Sequence, residues 1–290
     1  MPAHCVAVAV AGMRLRSLLF VPADRPERFA KAAASGADAI ILDLEDSVSA
    51  ARKSAAREAV AAALATPGPG VLRLVRINPL DAGMLADDLA AARGADALML
   101  PKAEGAIAIA ALGEAWGDRC PPILPIATET PAAIFTLGEY GQVAGDLCGL
   151  TWGAEDLPAA IGAATSREDD GSYTAPYRMV RSLALFAAHA AGVAAIETVY
   201  PAIDDLDGLA AYAARGARDG FTGMMAIHPR QVATINAAFT PDAAAIARAR
   251  RIVDAFAADA DRGALQLDGR MVDAPHLKQA RAILARAAPD

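Results

Sequence analysis

The 290-residue chain lacks the features that mark several common classes of protein. No apolar run approaches the roughly 18 uninterrupted residues of a membrane-spanning helix, so we expect a soluble protein with no membrane partner. The first twelve residues, MPAHCVAVAVAG, carry no basic residue ahead of their apolar run and lack the charged front of a secretory signal. We expect a cytoplasmic protein in which residues 1–12 form a disordered leader and Met13 is an alternative start.

Positive charge and metal-binding motifs are also scarce. Lysine and arginine number 27 against 34 aspartates and glutamates, which gives a net charge of −7 and leaves no basic footprint for nucleic acid. The three cysteines, Cys5, Cys120 and Cys148, form no CxxC pair, which favours reduced thiols in a cytoplasm. Because no HxH or HExxH spacing occurs, a zinc site is not expected.

The chain contains instead an alternation of short apolar runs and long alanine-rich amphipathic stretches, which is typical of βα units around a parallel sheet. Eight such units in about 230 residues favour a (β/α)8 TIM barrel over an open doubly wound sheet, and no GxGxxG motif follows the first strand. Pro131 opens one predicted helix, and glycines such as Gly192 close others. The predicted strands are Ser17–Val21, Ala39–Asp43, Val71–Ile77, Ala97–Leu100, Ile123–Ile126, Leu147–Trp152, Ala194–Val199 and Gly223–Ile227.

Beyond Phe239 the pattern changes. Residues Pro241–Asp261 predict one long helix, the segment ALQLDGRMVDAP predicts a short hairpin, and a final helix follows to Ala287. We therefore predict a catalytic barrel domain over residues 13–240 and a C-terminal helical and hairpin extension over residues 241–290.

Polar residues cluster where the predicted strands end, and these ends converge on one face of a parallel barrel. The second strand runs into three carboxylates in the segment DAIILDLEDSV, namely Asp43, Glu45 and Asp46. Alternation along an extended chain places Asp43 and Glu45 on one side and Asp46 on the other. A crowd of like charges at the end of a buried strand indicates a site rather than packing.

Four further residues follow later strands at intervals of 26, 27 and 27: Arg76, Lys102, Glu129 and Asp156. Two cations among so many carboxylates leave an excess of negative charge, which a divalent cation would offset. Mg²⁺ favours one or two carboxylates together with water and ligand oxygens, so Glu129 and Asp156 are the predicted metal ligands. The alternative is a set of surface carboxylates beside helix N-termini, where negative charge is mildly stabilising.

An ordered set of segments carries a family resemblance: RSLLFVPADRPERFAKA, DAIILDLEDSV, RIN, LPKAE, ET, GAEDL, TVYP, AIHPRQ and DGRMVDAP. Together they span roughly residues 15–284. This set resembles the citrate lyase β-subunit-like branch of the HpcH/HpaI aldolase and citrate lyase superfamily, which includes malyl-CoA and citramalyl-CoA lyases. The resemblance likewise implies that Glu129 and Asp156 bind Mg²⁺.

The resemblance also implies roles for residues around the metal. Arg76 would bind the carboxylate and carbonyl of the substrate. Glu45 and Asp46 would line the metal site and meet its bound waters. Asp273, in the C-terminal MVDAP segment, would reach into the active site of a neighbouring subunit as acid or base, so that the extension packs on that subunit.

Coenzyme A is the implied carrier of the substrate. Arg25 and Lys31, in the segment RPERFAK, would hold its phosphate, with Phe20 nearby. One departure concerns the seventh strand, where Glu197 stands in place of the aspartate that relatives often show. A second is Asp46, which occupies the position of a catalytic histidine in pyruvate aldolases and therefore favours the thioester branch.

The implied function is an Mg²⁺-dependent carbon–carbon lyase. It would cleave or form a 3-hydroxy-3-carboxy acyl thioester such as citryl-, malyl- or citramalyl-CoA, with an acyl thioester and a 2-oxo acid as products, and would work as a homotrimer or hexamer. Three alternatives remain open: the β subunit of a multi-component citrate lyase acting on an acyl carrier protein thioester, a class II pyruvate aldolase without a thioester, and a barrel kept as a structural partner.

Overall fold

The structure is a computed structural model that describes residues 13–66, 68, 70–258 and 263–287. The chain divides into two compact units, one that ends at Asn236 and one that begins at Ala237. The division falls a few residues before the predicted boundary at residue 240. The predicted leader, including Cys5, lies outside the described residues, so its disorder stays a prediction.

Eight parallel strands form the sheet of the first unit, and each one overlaps a predicted strand. Their order is β5-β4-β3-β2-β1-β8-β7-β6, so the first and last strands of the series are neighbours. The strands are β1 Ser17–Pro22, β2 Ala39–Asp43, β3 Leu72–Arg76, β4 Ala97–Leu100, β5 Ile123–Pro125, β6 Gly149–Thr151, β7 Ala194–Glu197 and β8 Gly223–Ala226.

The remaining seam of the barrel lies between β5 and β6. Two single parallel bridges join these strands, Ile123 with Leu147 and Ile126 with Thr151. A backbone N–H of Cys148 also donates to the carbonyl of Ile123 at 3.1 Å. The sheet is thus a nearly closed barrel, and the predicted (β/α)8 TIM-barrel class is confirmed.

Helices connect the strands of the barrel. Short 3₁₀ segments at Pro26–Arg28, Ala50–Arg52 and Leu137–Asp146 precede or extend some of them. Nowhere in the described ranges does a helix combine the length and the apolar character needed to cross a bilayer. The helices are α1 Phe29–Ala33, α2 Lys53–Leu64, α3 Leu85–Ala91, α4 Gly105–Trp116, α5 Pro131–Thr136, α6 Asp156–Ile161, α7 Ala175–Ala191, α8 Leu206–Asp219 and α9 Pro229–Phe239.

Apolar side chains of the strands fill the barrel, which explains why the strands read as nearly continuous apolar runs. All five residues of β2 are buried, and Ile41, Leu74, Met99 and Ile196 belong to one core cluster. Cys148 lies in the same cluster, where burial raises the pKa of its thiol to about 12. That thiol is therefore a packing group at neutral pH.

The second unit consists of two helices and a hairpin. Helix α10 spans Ala243–Ala258, the antiparallel strands β9 and β10 span Ala264–Leu267 and Arg270–Asp273, and helix α11 spans Ala274–Ala287. Ala249, Ile252 and Ala280 form its small buried core. The hairpin expected from ALQLDGRMVDAP is present; the predicted end of the long helix at Asp261 lies outside the described residues.

A glycine permits the close approach of β8 to the chain that leads into β1. A Cβ atom on Gly223 would lie 1.7 Å from the carbonyl oxygen of Leu15, whereas one on Gly113 in α4 would meet no atom within 4 Å. We therefore predict that Gly223→Ala lowers the free energy of unfolding by at least about 3 kcal/mol, because backbone must move to relieve the clash.

Urea denaturation followed by circular dichroism measures this effect. Gly113→Ala is the matched control and should be neutral or stabilising by up to about 1 kcal/mol, since alanine has the higher helix propensity. Equal stability of the two variants would contradict the described pairing of β1 with β8.

Candidate active site

A cavity of about 430 Å³ opens at the carboxyl ends of the strands in the first unit. Residues from seven of the eight strand ends meet there, as expected for a barrel of parallel strands. The cavity combines apolar walls with acidic groups and one buried arginine. Its lining residues are Phe20, Pro22, Asp43, Asp46, Ser47, Arg76, Ile126, Glu129, Gly153, Ala154, Glu155, Asp156, Thr198, Val199, Met225 and Ile227.

A buried ion pair between the ends of β2 and β3 forms one wall. Nε and Nη2 of Arg76 donate to the two carboxylate oxygens of Asp43, each at 2.7 Å, and Asp43 is only 1% exposed. Burial alone would raise the pKa of Asp43, but the hydrogen bonds and charge of Arg76 outweigh it and hold this pKa below its usual value. The guanidinium also stacks over the ring of Phe20, with 4.9 Å from Cζ to the ring centroid. Arg76 is therefore fixed in place and permanently charged.

Glu45 lies between two cations. Nη1 of Arg76 is 2.7 Å from its Oε2 atom, and Nζ of Lys102 donates to its Oε1 atom at 2.8 Å. Burial raises the pKa of Glu45 although both cations oppose that rise. Asp46 is exposed and lies 3.8 Å from Nη1 of Arg76. Both carboxylates predicted to line the site thus stand beside Arg76.

A second lysine fixes the backbone of the loop that carries these carboxylates. Nζ of Lys53, in the first turn of α2, donates to the carbonyl oxygens of Leu44 and Glu45 at 2.6 and 2.8 Å and to Oδ1 of Asn78 at 2.7 Å. Asn78 in turn donates its side-chain amide to buried Asp88 at 2.7 Å. The asparagine of the RIN segment is therefore a structural anchor for the loop after β2.

Glu129 and Asp156 face the same cavity from the segments that follow β5 and β6. The backbone N–H of Lys102 donates to Oε2 of Glu129 at 2.6 Å, and Glu129 is 4% exposed. Its burial, reinforced by the charges of Asp156 and Glu45, raises the pKa of Glu129 to about 8. The side chain of Asp156 is 35% exposed, and its Oδ1 atom lies 3.5 Å from Nζ of Lys102.

The charges of this cluster do not balance. Arg76 pairs with Asp43, and Lys102 pairs with Glu45. With Asp46 and the nearby Lys53 included, five carboxylates face three cations, so negative charge is in excess by two. Among the described residues Glu129 forms no ion pair, and Asp156 has only its 3.5 Å contact with Lys102. A buried carboxyl group with a raised pKa indicates missing positive charge, and a divalent cation would supply two units of it.

The donor set therefore fits a hard divalent cation that keeps most of its water. Within the described ranges, no group of three or more acidic, cysteine or histidine side chains has the arrangement of a metal site. A site with two carboxylates agrees with this finding, because Mg²⁺ is commonly held by one or two carboxylates while water and ligand oxygens complete its shell.

Of the three residues predicted to hold coenzyme A, one lines the cavity and two do not. Phe20 lines the cavity. Arg25 and Lys31 lie on the exposed 3₁₀ and α1 segment that follows β1, and neither belongs to the lining of the described cavity. Nε of Arg25 is 3.8 Å from a carboxylate oxygen of Asp24. Both cations are accessible to an anionic ligand above the strand end, and their role stays a prediction.

Asp273 belongs to the second unit, at the end of β10. Its Oδ1 atom lies 2.5 Å from Nδ1 of His276, and this hydrogen bond holds the pKa of Asp273 below its usual value. Asp273 is therefore a carboxylate at neutral pH and can accept a proton. That Asp273 enters the active site of a neighbouring subunit stays a prediction.

Glu197 has a different environment from the carboxylates of the cavity. It is fully buried, and its oxygens accept hydrogen bonds from Trp152 Nε1 at 2.6 Å, from Arg181 Nε at 2.7 Å and from the hydroxyl of Tyr212 at 3.0 Å. None of these three partners belongs to the lining of the described cavity. The glutamate at this strand end is thus a structural residue that fixes Trp152, the residue before the loop that carries Asp156.

Sequence reasoning placed Lys102 and Asp43 at strand ends but assigned neither of them a role, and it missed Gly153. A Cβ atom on Gly153 would lie 3.0 Å from Cγ of Glu129, so glycine lets the loop after β6 close on that carboxylate. The available signal for Lys102 was its place in the series of residues that recur at nearly equal intervals along the chain, together with the predicted metal ligands. For Gly153 the signal was its place beside an acidic pair at a strand end.

Comparison with known sequences supports the resemblance. The family described as HpcH/HpaI aldolase/citrate lyase matches residues 16–229. A citrate lyase subunit beta-like protein of Mycobacterium tuberculosis is 41% identical over 93% of this chain and 94% of the relative. An L-malyl-CoA/beta-methylmalyl-CoA lyase of Cereibacter sphaeroides is 32% identical over 94% of each chain.

A solved structure agrees in fold. The CitE protein from Mycobacterium tuberculosis, in complex with magnesium, acetoacetate and coenzyme A, superposes with a TM-score of 0.79 at 40% identity. The match covers 94% of this chain and 97% of that chain. The similarity extends over both compact units rather than the barrel alone.

The Asp43–Arg76 pair leads to a stability prediction. Arg76→Leu should lower the free energy of unfolding by about 3–5 kcal/mol, because it leaves Asp43 and Glu45 buried without their main counterion. The control is Arg230→Leu, which removes an exposed ion pair with Asp204 and should cost less than about 1 kcal/mol. Urea denaturation measures both values. If Arg76→Leu lowers the free energy of unfolding no more than Arg230→Leu does, the described burial of the Asp43–Arg76 pair is contradicted.

Proposed function

The chain belongs to the HpcH/HpaI aldolase/citrate lyase family and is a lyase of that family, and we propose that it is an Mg²⁺-dependent carbon–carbon lyase acting on CoA thioesters. Its substrate is a 3-hydroxy-3-carboxy acyl thioester such as citryl-, malyl- or citramalyl-CoA, and its products are an acyl thioester and a 2-oxo acid. The observation that carries the proposal is the pair of least compensated carboxylates, Glu129 and Asp156, beside a fixed arginine in one cavity.

Glu129 and Asp156 are the residues that would hold the metal. When bound, Mg²⁺ would act as a Lewis acid that lowers the hydroxyl pKa of the substrate and stabilises negative charge on its oxygens. Glu45 and Asp46 would line the metal site and orient water there. Magnesium in the structure of the Mycobacterium tuberculosis relative supports the assignment.

Arg76 binds the carboxylate and carbonyl oxygens of the 2-oxo acid portion. A guanidinium has five N–H donors, and two of those on Arg76 donate to Asp43, while Nη1 lies 2.7 Å from Oε2 of Glu45 in an ion pair. The donors that Asp43 does not occupy remain for the substrate. Because Arg76 is already held by its carboxylate partners, it stabilises developing negative charge without reorganising during the reaction.

A base must take the proton of the substrate hydroxyl during cleavage and return a proton to the enolate of the acyl thioester. Asp273 of a neighbouring subunit has this role in the proposal, since its low pKa keeps it ionised. Arg25 and Lys31 hold the phosphate groups of coenzyme A, and Phe20 lies beside the thioester. The thioester matters because its enolate is a tolerable leaving carbanion.

Two alternatives share the same cavity. A citrate lyase β subunit would use an acyl carrier protein thioester, and a pyruvate aldolase would need no thioester. Coenzyme A in the relative's structure and the malyl-CoA lyase relative favour a free CoA thioester. Turnover of 4-hydroxy-2-oxo acids would identify the aldolase, whereas activity that requires the carrier protein would identify the citrate lyase subunit.

The direct test is an assay of the purified protein with Mg²⁺ against malyl-CoA, citramalyl-CoA and citryl-CoA. We expect cleavage of at least one of them, measured as release of the 2-oxo acid. Glu129→Ala and Asp156→Ala should each lower kcat by at least about a hundredfold, because each removes a metal-holding carboxylate. Asp204→Ala, at an exposed carboxylate, is the control, and unchanged kcat at both Glu129 and Asp156 would refute the metal assignment.

Sharing of Asp273 across subunits has its own test. Arg76→Ala and Asp273→Ala proteins should each be inactive. Mixed oligomers should regain up to about a quarter of wild-type activity, because about a quarter of their sites combine an intact Arg76 with an intact Asp273 from the neighbouring subunit. The measurement is lyase activity after the two variants are dissociated and reassembled together. Mixed oligomers without activity would show that both residues act within one subunit.

A further inference from the structure

Lys102 contacts three carboxylates, and two of them, Glu129 and Asp156, line the cavity. Its backbone N–H donates to Glu129 at 2.6 Å, and its ammonium lies 2.8 Å from Oε1 of Glu45 and 3.5 Å from Oδ1 of Asp156. Its φ angle is +50°, a conformation that few residues other than glycine adopt. Such a conformation persists where the surroundings fix it, and here both the amide and the ammonium are fixed by carboxylates.

We propose that Lys102 determines which carboxylates are available to the divalent cation. Its ammonium neutralises Glu45 and keeps that carboxylate away from the metal, and its weaker contact with Asp156 is released when the cation binds. The inference rests on the proposed function, since it takes Glu129 and Asp156 as the residues that hold Mg²⁺. Lys102 is a positioning residue in this scheme and contacts neither the metal nor the substrate.

The contacts of Glu45 support the first half of this scheme. Its Oε2 atom is occupied by Arg76 at 2.7 Å and its Oε1 atom by Lys102 at 2.8 Å. Both oxygens therefore lie beside a cation, and Oε1 also accepts a hydrogen bond from the ammonium of Lys102. Without Lys102, Oε1 would be a carboxylate oxygen without a cation partner, and the negative charges of Glu45 and Asp156 that already act on Glu129 would be less offset.

The contact with Asp156 supports the second half. Its 3.5 Å separation exceeds the usual length of a charge-assisted hydrogen bond, and the side chains of Lys102 and Asp156 are each about one-third exposed. Such a pair is weak. A divalent cation that approaches Asp156 can replace the ammonium there while Lys102 keeps its shorter bond to Glu45.

Lys53 offers a matched comparison within the same cluster. It is also half-buried, but its ammonium bonds two backbone carbonyl oxygens and the amide oxygen of Asn78, and no carboxylate oxygen is among these three partners. Removal of either lysine deletes one positive charge near the site. Only removal of Lys102 also frees a carboxylate.

The test is calorimetric titration of the full-length protein with Mg²⁺, and with Mn²⁺ as a second probe, in the absence of substrate. We expect Lys102→Met to bind the ion at least about tenfold more tightly than wild type, because a competing cation is lost and the charge of Glu45 is no longer neutralised beside the site. Lys102→Arg, which keeps the charge, should bind within about threefold of wild type. Lys53→Met should tighten binding less than Lys102→Met does.

Equal or weaker binding by Lys102→Met would overturn the inference, as would an equal gain in Lys53→Met. If Lys102→Met does not fold, Lys102→Gln tests the same loss of charge with the same criteria. Wild-type protein that binds no ion would overturn both the inference and the proposed metal site. Wild-type binding that is lost in Glu129→Ala and unchanged in Lys102→Met would overturn the inference alone.

Discussion

The buried pair of Asp43 and Arg76 is the interaction on which the rest of the site depends. It joins the carboxyl ends of β2 and β3 through two hydrogen bonds of 2.7 Å, in a place where neither charge could remain unpaired. Nη1 of the same guanidinium lies 2.7 Å from Oε2 of Glu45 in an ion pair. Because Asp43 and Glu45 occupy part of the arginine, the guanidinium is already oriented before any ligand arrives, and only its outward donors remain for a substrate.

This arrangement also explains why the cluster is acidic without being unstable. Arg76 pairs with Asp43 and Glu45, and Lys102 pairs most closely with Glu45, which leaves Glu129 and Asp156 as the carboxylates whose negative charge is least compensated. The two differ in solvation: Glu129 is buried and has a pKa raised to about 8, whereas the side chain of Asp156 is one-third exposed. A metal-free cluster can therefore retain a proton on Glu129 near neutral pH, which limits the repulsion between the two groups.

Much of the fold could be predicted from periodicity, because strands buried on both faces leave continuous apolar runs such as AIILD at Ala39–Asp43. The meeting of Arg76, Glu129 and Asp156 in one cavity was likewise predictable, since it follows from barrel topology and a constant spacing. The exact ends of the elements were less predictable: β6 spans only Gly149–Thr151, inside the predicted strand Leu147–Trp152. Arg25 and Lys31 could be placed on their segment, but the directions of such long, exposed side chains do not follow from an apolar pattern.

The comparison of Glu129 with Glu197 shows what sequence patterns could not resolve. Both are glutamates that end or follow a barrel strand, and both are buried. Glu197 receives hydrogen bonds from an indole, a guanidinium and a phenol, so its charge is fully compensated. Glu129 accepts one hydrogen bond, from a backbone N–H to its Oε2 atom, and faces further carboxylates.

The partners of Glu197 come from α7, α8 and the end of β6, and the partner of Glu129 comes from the segment after β4. No local pattern around either glutamate encodes these partners. The chemical role of a buried carboxylate is therefore set by the number of donors that the tertiary fold directs at it, and the glutamate left short of donors is the one suited to a cation.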